Sequence, residues 1–134
     1  MTTQSQQMSV PPDWNGSIPE YLVYQSLIEK QGKQPGIDFT YQSALMGGRL
    51  DKGGVVLDFV FIDPPDLAIN VQGEYYHYGK GSTVLQNDVI VRQQMAGDGI
   101  NLIFIDEDDI LNNVDYFVRE ALNYKDHSKL GGGI

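Results

Sequence analysis

Apolar positions change their spacing several times along the chain, and each change marks an element. Leu22, Tyr24, Leu27 and Ile28 form an incomplete apolar stripe, and Ser17 and Glu20 before it stand at capping-box separation with Pro19 in the tolerated first turn. The spacing predicts a helix of roughly three turns, ended by the Gly- and Pro-containing segment from Gln31 to Gly36. Phe39 to Gln42 fits a short strand. Gly47-Gly48 and Gly53-Gly54 bracket a polar turn, after which the run from Val55 to Ile62 reads as the clearest strand. Asp63-Pro64-Pro65-Asp66 supplies the next turn, and Leu67 to Val71 completes an antiparallel hairpin.

Beyond the loop from Gly79 to Ser82, Val84, Leu85, Val89 and Met95 predict a helix from about Thr83 to Met95, stopped by Gly97 and Gly99. Asn101 to Ile105 is a short apolar strand. Asp106 to Asp109 reads as an acidic connection to a final helix near Val114 to Leu122. The order is αβββαβα: an α/β fold with a small mixed sheet and helices available to both of its sides. Residues 1–15 read as an extended polar arm, 16–126 as a single α/β domain and 127–134 as a flexible, Gly-rich tail.

Composition narrows the function. A chain of 134 residues, 41% apolar, can bury one real core. With 9 Lys and Arg against 18 Asp and Glu, the net charge of −9 opposes diffuse attraction to nucleic acid, so any DNA contact needs a local device. The absence of Cys removes disulfides, thiolate metal sites and cysteine catalysis. The N-terminal segment lacks a signal-peptide pattern, and Asp, Asn or Gly interrupts every apolar run, so a soluble protein without membrane contact is expected.

One carboxylate interrupts the run VVLDFVF. Burying Asp58 without a partner costs several kcal/mol, of the order of about 3–5, so it faces either a divalent, oxygen-loving ion or an Arg92 or loop partner. In VQGEYYH, Gly73 permits a bend or a close backbone approach, and His77 is either a water-activating base or a surface imidazole. Gln72 can donate its amide to phosphate, and Glu74 can support an ion or point outward. Glu20 is either a third carboxylate for the same centre or simply the capping partner of Ser17. Asp88 and Arg92 are four residues apart, giving a helix-surface pair worth about 0.2–0.5 kcal/mol or an Arg free to meet phosphate. Tyr75, Tyr76 and Tyr78 either stack on bases or pack at the sheet rim.

The ordered set GSIPE, VVLDF, INVQGEYYH, QNDVIVRQQMAGDG and NLIFI, spanning nearly residues 16–105, resembles the restriction-endonuclease-like, or PD-(D/E)XK, superfamily. Within it the likeness is to very-short-patch repair endonucleases and their short uncharacterised relatives. The resemblance implies a mixed-sheet nuclease core and magnesium- or manganese-dependent phosphodiester hydrolysis. Asp58 matches the metal-binding Asp, the Val71 carbonyl falls where a backbone oxygen completes the metal shell, and His77 matches the water-activating His. Glu20 looks like the supporting helical carboxylate. Asp88 and Arg92 resemble the D-x3-R signature of the short relatives. Gln72 stands where the repair enzymes carry His, and Asn70 and Gln72 occupy the acidic and basic positions of the wider pattern.

The function expected is cleavage of nucleic acid, with DNA as partner, in the cytoplasm. The alternative is a non-catalytic structural or adaptor subunit of a viral particle or other assembly, built on the same fold and held by protein partners or its own copies. A nucleic-acid-binding module without hydrolysis is a third possibility.

Overall fold

The computed structural model describes Trp14 and residues 16–41, 57–73 and 92–129. The expectations that fall on the arm before Trp14, on Glu74, His77 and Asp88, on the three tyrosines at 75, 76 and 78, and on residues 130–134 lie outside these.

Helix α1 spans Ile18–Glu29 and begins as its sequence requires. The Ser17 hydroxyl accepts the Glu20 N–H at 3.2 Å and the Glu20 carboxylate accepts the Ser17 N–H at 3.4 Å, satisfying two donors that the first turn would leave orphaned. Val23, Ser26 and Leu27 form its buried face, at the i, i+3, i+4 spacing of one helical stripe.

Strands β1 (Phe39–Tyr41), β2 (Phe59–Phe61), β3 (Leu67–Gln72) and β4 (Asn101–Asp106) make one sheet in the order β1-β2-β3-β4. The first three pair antiparallel, with Phe39 opposite Phe61 and Phe59 opposite Ile69. β4 runs parallel to β3, from Leu67 opposite Asn101 to Gln72 opposite Asp106. A parallel pair needs a crossover, and residues 92–97, helical, lie on it. With the last helix the order is αβββαβα around a mixed four-stranded sheet, which is the restriction-endonuclease-like topology expected from the sequence.

Alternation divides the core between the two faces of the sheet. Phe39, Tyr41, Phe59, Phe61, Leu67 and Ile69 meet both long helices on one face. On the other, Ala68, Leu102 and Phe104 pack with Leu57 and with Met95 of the crossover. Polar ties supplement this packing. The buried Ser26 hydroxyl donates to Asp115 at 2.7 Å, joining the two helices. Among the described residues no buried side-chain nitrogen or oxygen lacks a hydrogen-bond partner.

The last helix, α2, spans Glu107–Leu122, starting seven residues before the expected Val114. Glu107, Asp108 and Asp109 occupy its first turn, where the positive end of the helix dipole favours acidic groups, and Ile110 adds a buried anchor. The expected start marks a real discontinuity. Asn113 leaves helical geometry (φ −161°, ψ 77°), and its side chain accepts the Tyr116 N–H at 3.3 Å, restarting the helix as an internal cap. After α2 the chain turns back along β4. The Asp126 carboxylate accepts the Phe104 N–H at 2.9 Å, closing an outward-facing donor of that edge strand, and Ser128 is fully buried beside it.

Candidate metal centre

Strands β3 and β4 bring polar groups to one end of the sheet. On the face that holds Ala68 and Leu102, alternation carries Asn70 and Gln72 of β3 and Asp106 of β4 toward the strand C-termini. Gln72 and Asp106 stand opposite each other in the parallel register, and both are fully buried. The face is thus apolar at one end and polar at the other.

At this polar end the chain passes from β4 directly into α2, and the turn concentrates negative charge. Asp106 sits at the N-cap with extended backbone, but its side chain makes no cap bond. Asp108 and Asp109 follow in the first helical turn. One oxygen from each of the three carboxylates lies within 4.8 Å of the others. Asp106 is compensated from the C-terminal segment: its Oδ2 accepts the Lys129 N–H at 2.8 Å and lies 3.9 Å from Lys129 Nζ. The same ammonium is 3.5 Å from Asp108. Partial burial, followed by the charges of Asp108 and Asp106, pushes the Asp109 carboxyl above the ordinary value of 3.8, with Lys129 and His127 pulling weakly the other way. The part of this repulsion that Lys129 and His127 leave is what a bound cation would reduce.

The residues singled out from the sequence are distributed as follows. Asp58, at the start of β2, is joined to β3 twice. Its Oδ2 accepts the Val71 N–H at 2.8 Å, and its own N–H donates to the Asn70 side-chain oxygen at 2.7 Å. Asp58 and Val71 are therefore brought together, through the Val71 amide. Gln72 follows at the next position, buried and opposite Asp106 in the strand register. Glu20 stands on the opposite face, where its carboxylate receives a short hydrogen bond from the Tyr41 hydroxyl in addition to its capping role. Arg92 pairs with Asp126 at 3.6 Å and lies over the Phe104 ring, 5.9 Å from its centroid.

The acidic triad is the feature that sequence reasoning passed over. The signal was present as a D-E-D-D run at the end of an apolar strand. Treated as a linker, it hides the fact that a strand end and a first helical turn fold its carboxylates onto one another.

No family model, curated protein or solved structure matches this chain. The fold and the triad by themselves define a class: a small α/β domain with an acidic cluster that can coordinate a metal ion, in keeping with a metal-binding, hydrolase-like build and with no specific family. No helix among the described residues is long and apolar enough to cross a membrane.

Proposed function

We propose that this domain is a magnesium- or manganese-dependent phosphodiester hydrolase, an endonuclease-like enzyme of the cytoplasm that takes DNA at the polar end of its sheet. The observation that carries this reading is the triad, three carboxylates within 4.8 Å at the C-terminal end of the parallel strand pair. Its donors are all oxygens, the set that hard divalent ions such as Mg2+ and Mn2+ prefer. When bound, such an ion polarises a phosphoryl oxygen and acidifies water.

The chain's own residues take the remaining roles in this reading. Asp106, Asp108 and Asp109 hold the ion, and Asp58 and the Val71 carbonyl offer further oxygens from the adjoining strand ends. Gln72 steadies the phosphate through its amide. His77 takes the proton from water as the oxygen attacks phosphorus and the phosphodiester P–O bond breaks. Glu74, Asp88 and Arg92 support the centre, while Glu20, on the opposite face, keeps to its cap and to Tyr41.

Incubating the full chain with DNA in Mg2+ or Mn2+ should give cleavage that EDTA stops. Asp58→Ala, or Asp108→Asn combined with Asp109→Asn, should slow it by about a hundredfold or more, and His77→Ala by a comparable factor. Rates equal to wild type in these variants reject the assignment.

One observation favours a second reading, a non-catalytic adaptor or structural subunit on a nuclease-derived fold. Asn70, at the acidic position of the wider pattern, uses its side-chain oxygen to clip the β2–β3 hairpin at 2.7 Å, a structural duty that needs no metal. Metal binding without turnover on any nucleic acid selects this reading.

A further inference from the structure

Strand β4 forms one edge of the sheet, and the described residues close only half of that edge. The Asn101 N–H points inward and donates to the Asp66 carbonyl at 2.7 Å, so alternation turns the N–H and C=O of Leu102 and Phe104 outward. Asp126 accepts the Phe104 N–H at 2.9 Å. The Leu102 N–H, two positions earlier, has no partner among the described residues, although Leu102 is only 2% exposed. A buried backbone donor without an acceptor is rare, because it gives up water and gains nothing in return. Space for an acceptor lies beside it. A groove of about 280 Å3 runs past Ile100, Leu102 and Ile103, with Ala96 of the crossover on its wall and Asp126 at the Phe104 end.

We infer that this half of β4 is a strand-addition site that takes a short, extended, basic segment of a partner protein. The inference is independent of the metal reading of the acidic triad. In an antiparallel pair, one partner residue set opposite Leu102 supplies both the carbonyl that its N–H lacks and an N–H for its carbonyl. The stretch from Ile100 to Ile103 matches roughly four extended residues, about 13 Å of chain, and Asp126 blocks further pairing at Phe104. Main-chain bonds supply affinity in this mode of recognition, and the groove beside them selects side chains. Charge selects the partner. Asp126 is matched by Arg92 at 3.6 Å, whereas the exposed Asp98 just before the strand has no ion-pair partner among the described residues. A chain of net charge −9 repels a second copy of itself and attracts a basic segment.

Two measurements on the full chain test this. The first follows amide hydrogen exchange by nuclear magnetic resonance without ligand. The Leu102 amide should exchange at least about tenfold faster than that of Ile103, which alternation turns toward β3. Equal protection of the two amides means that the chain closes the edge itself and overturns the inference. The second selects seven-residue peptides from a random display library on the wild-type protein. Enriched peptides should be basic and rich in β-branched residues, and they should slow exchange at Leu102. They should bind Ala96→Arg, which fills the groove and adds positive charge, at least about tenfold more weakly than Asn112→Arg, which adds the same charge on α2. Ala96 and Asn112 are both exposed, so neither arginine enters the core. Equal affinity for the two variants overturns the inference, as do a selection that yields no peptide and peptides that leave Leu102 exchange unchanged. A peptide-free wild type that is dimeric, and that Ala96→Arg makes monomeric, gives the edge to a second copy and overturns the choice of partner.

Discussion

Replacing Asp109 by Asn separates what the acidic triad costs from what it does. The substitution keeps the side chain's shape and removes one of three negative charges whose oxygens lie within 4.8 Å. Two unit charges at that separation repel by about 1 kcal/mol even in a water-like dielectric. Asp109 is half-buried and faces two such neighbours, while Lys129 and His127 offset part of the repulsion. The net gain from Asp109→Asn at neutral pH should be about 0.5–1 kcal/mol of folding stability.

The pH dependence fixes the sign. The carboxyl is raised above its unfolded value of 3.8, so the folded state binds this proton more tightly than the unfolded state. Its contribution to stability is therefore fully present below 3.8 and lost as pH rises through the raised folded value. At neutral pH the ionised Asp109 is a net cost that Asn does not carry, and near pH 4 or below, about where both forms become neutral, the advantage of Asn should vanish. Urea unfolding, followed by the fluorescence of the single Trp14 stacked on Tyr41 at 4.5 Å, measures both conditions. Added Mn2+ should reverse the ranking, because an ion that binds only the folded wild type stabilises it by mass action. A variant less stable than wild type at neutral pH without metal refutes the electrostatic argument, and equal stabilisation of both proteins by Mn2+ refutes the ligand role.

Two further predictions concern the frame around the site. Gly16→Ala would drive its new Cβ into the Tyr41 hydroxyl and the Glu20 carboxylate; overpacking of this kind should cost about 1–3 kcal/mol in urea unfolding, and a change within about 0.5 kcal/mol would show that the cap can shift aside. The Tyr124 hydroxyl donates to Asp66 at 2.5 Å, and that bond, with some burial, pushes its pKa up to about 12. Its contribution should be fully present below the ordinary value of 10.0 and lost as pH rises toward 12, so Tyr124→Phe should flatten the alkaline side of the stability profile.

What could be read in the sequence was local. The α1 start follows from Ser17 and Glu20, three positions apart. The β2–β3 hairpin follows from two apolar runs around Asp63 to Asp66, and β4 from five consecutive residues of strand character. The site could not be read in this way, because its geometry depends on contacts between distant positions. Gln72 faces Asp106 only because β3 and β4 pair in parallel, a register that neither segment encodes alone. Glu20 meets Tyr41 across 21 residues, which turns a capping carboxylate into a partner of the core. The triad escaped notice because an acidic run resembles a solvated linker until the strand end and the helix start are known to coincide at Asp106. The early start of α2 escaped for the same reason, since three acids at a helix N-terminus look like loop polarity in sequence and are favourable partners of the dipole in space.

The charge distribution links these readings. A chain of net charge −9 that gathers three carboxylates at one corner repels a phosphodiester there unless a cation intervenes. If the corner works on DNA, the same ion must supply attraction as well as chemistry, so substrate affinity and metal occupancy are one variable. The adaptor reading carries no such coupling, because the Asp58–Asn70–Val71 clip and the Asp126–Lys129 segment are closed by the chain's own donors and hold their surfaces without an ion. In either reading the Lys129 ammonium offsets part of the charge of Asp106 and Asp108, which it meets at 3.9 and 3.5 Å.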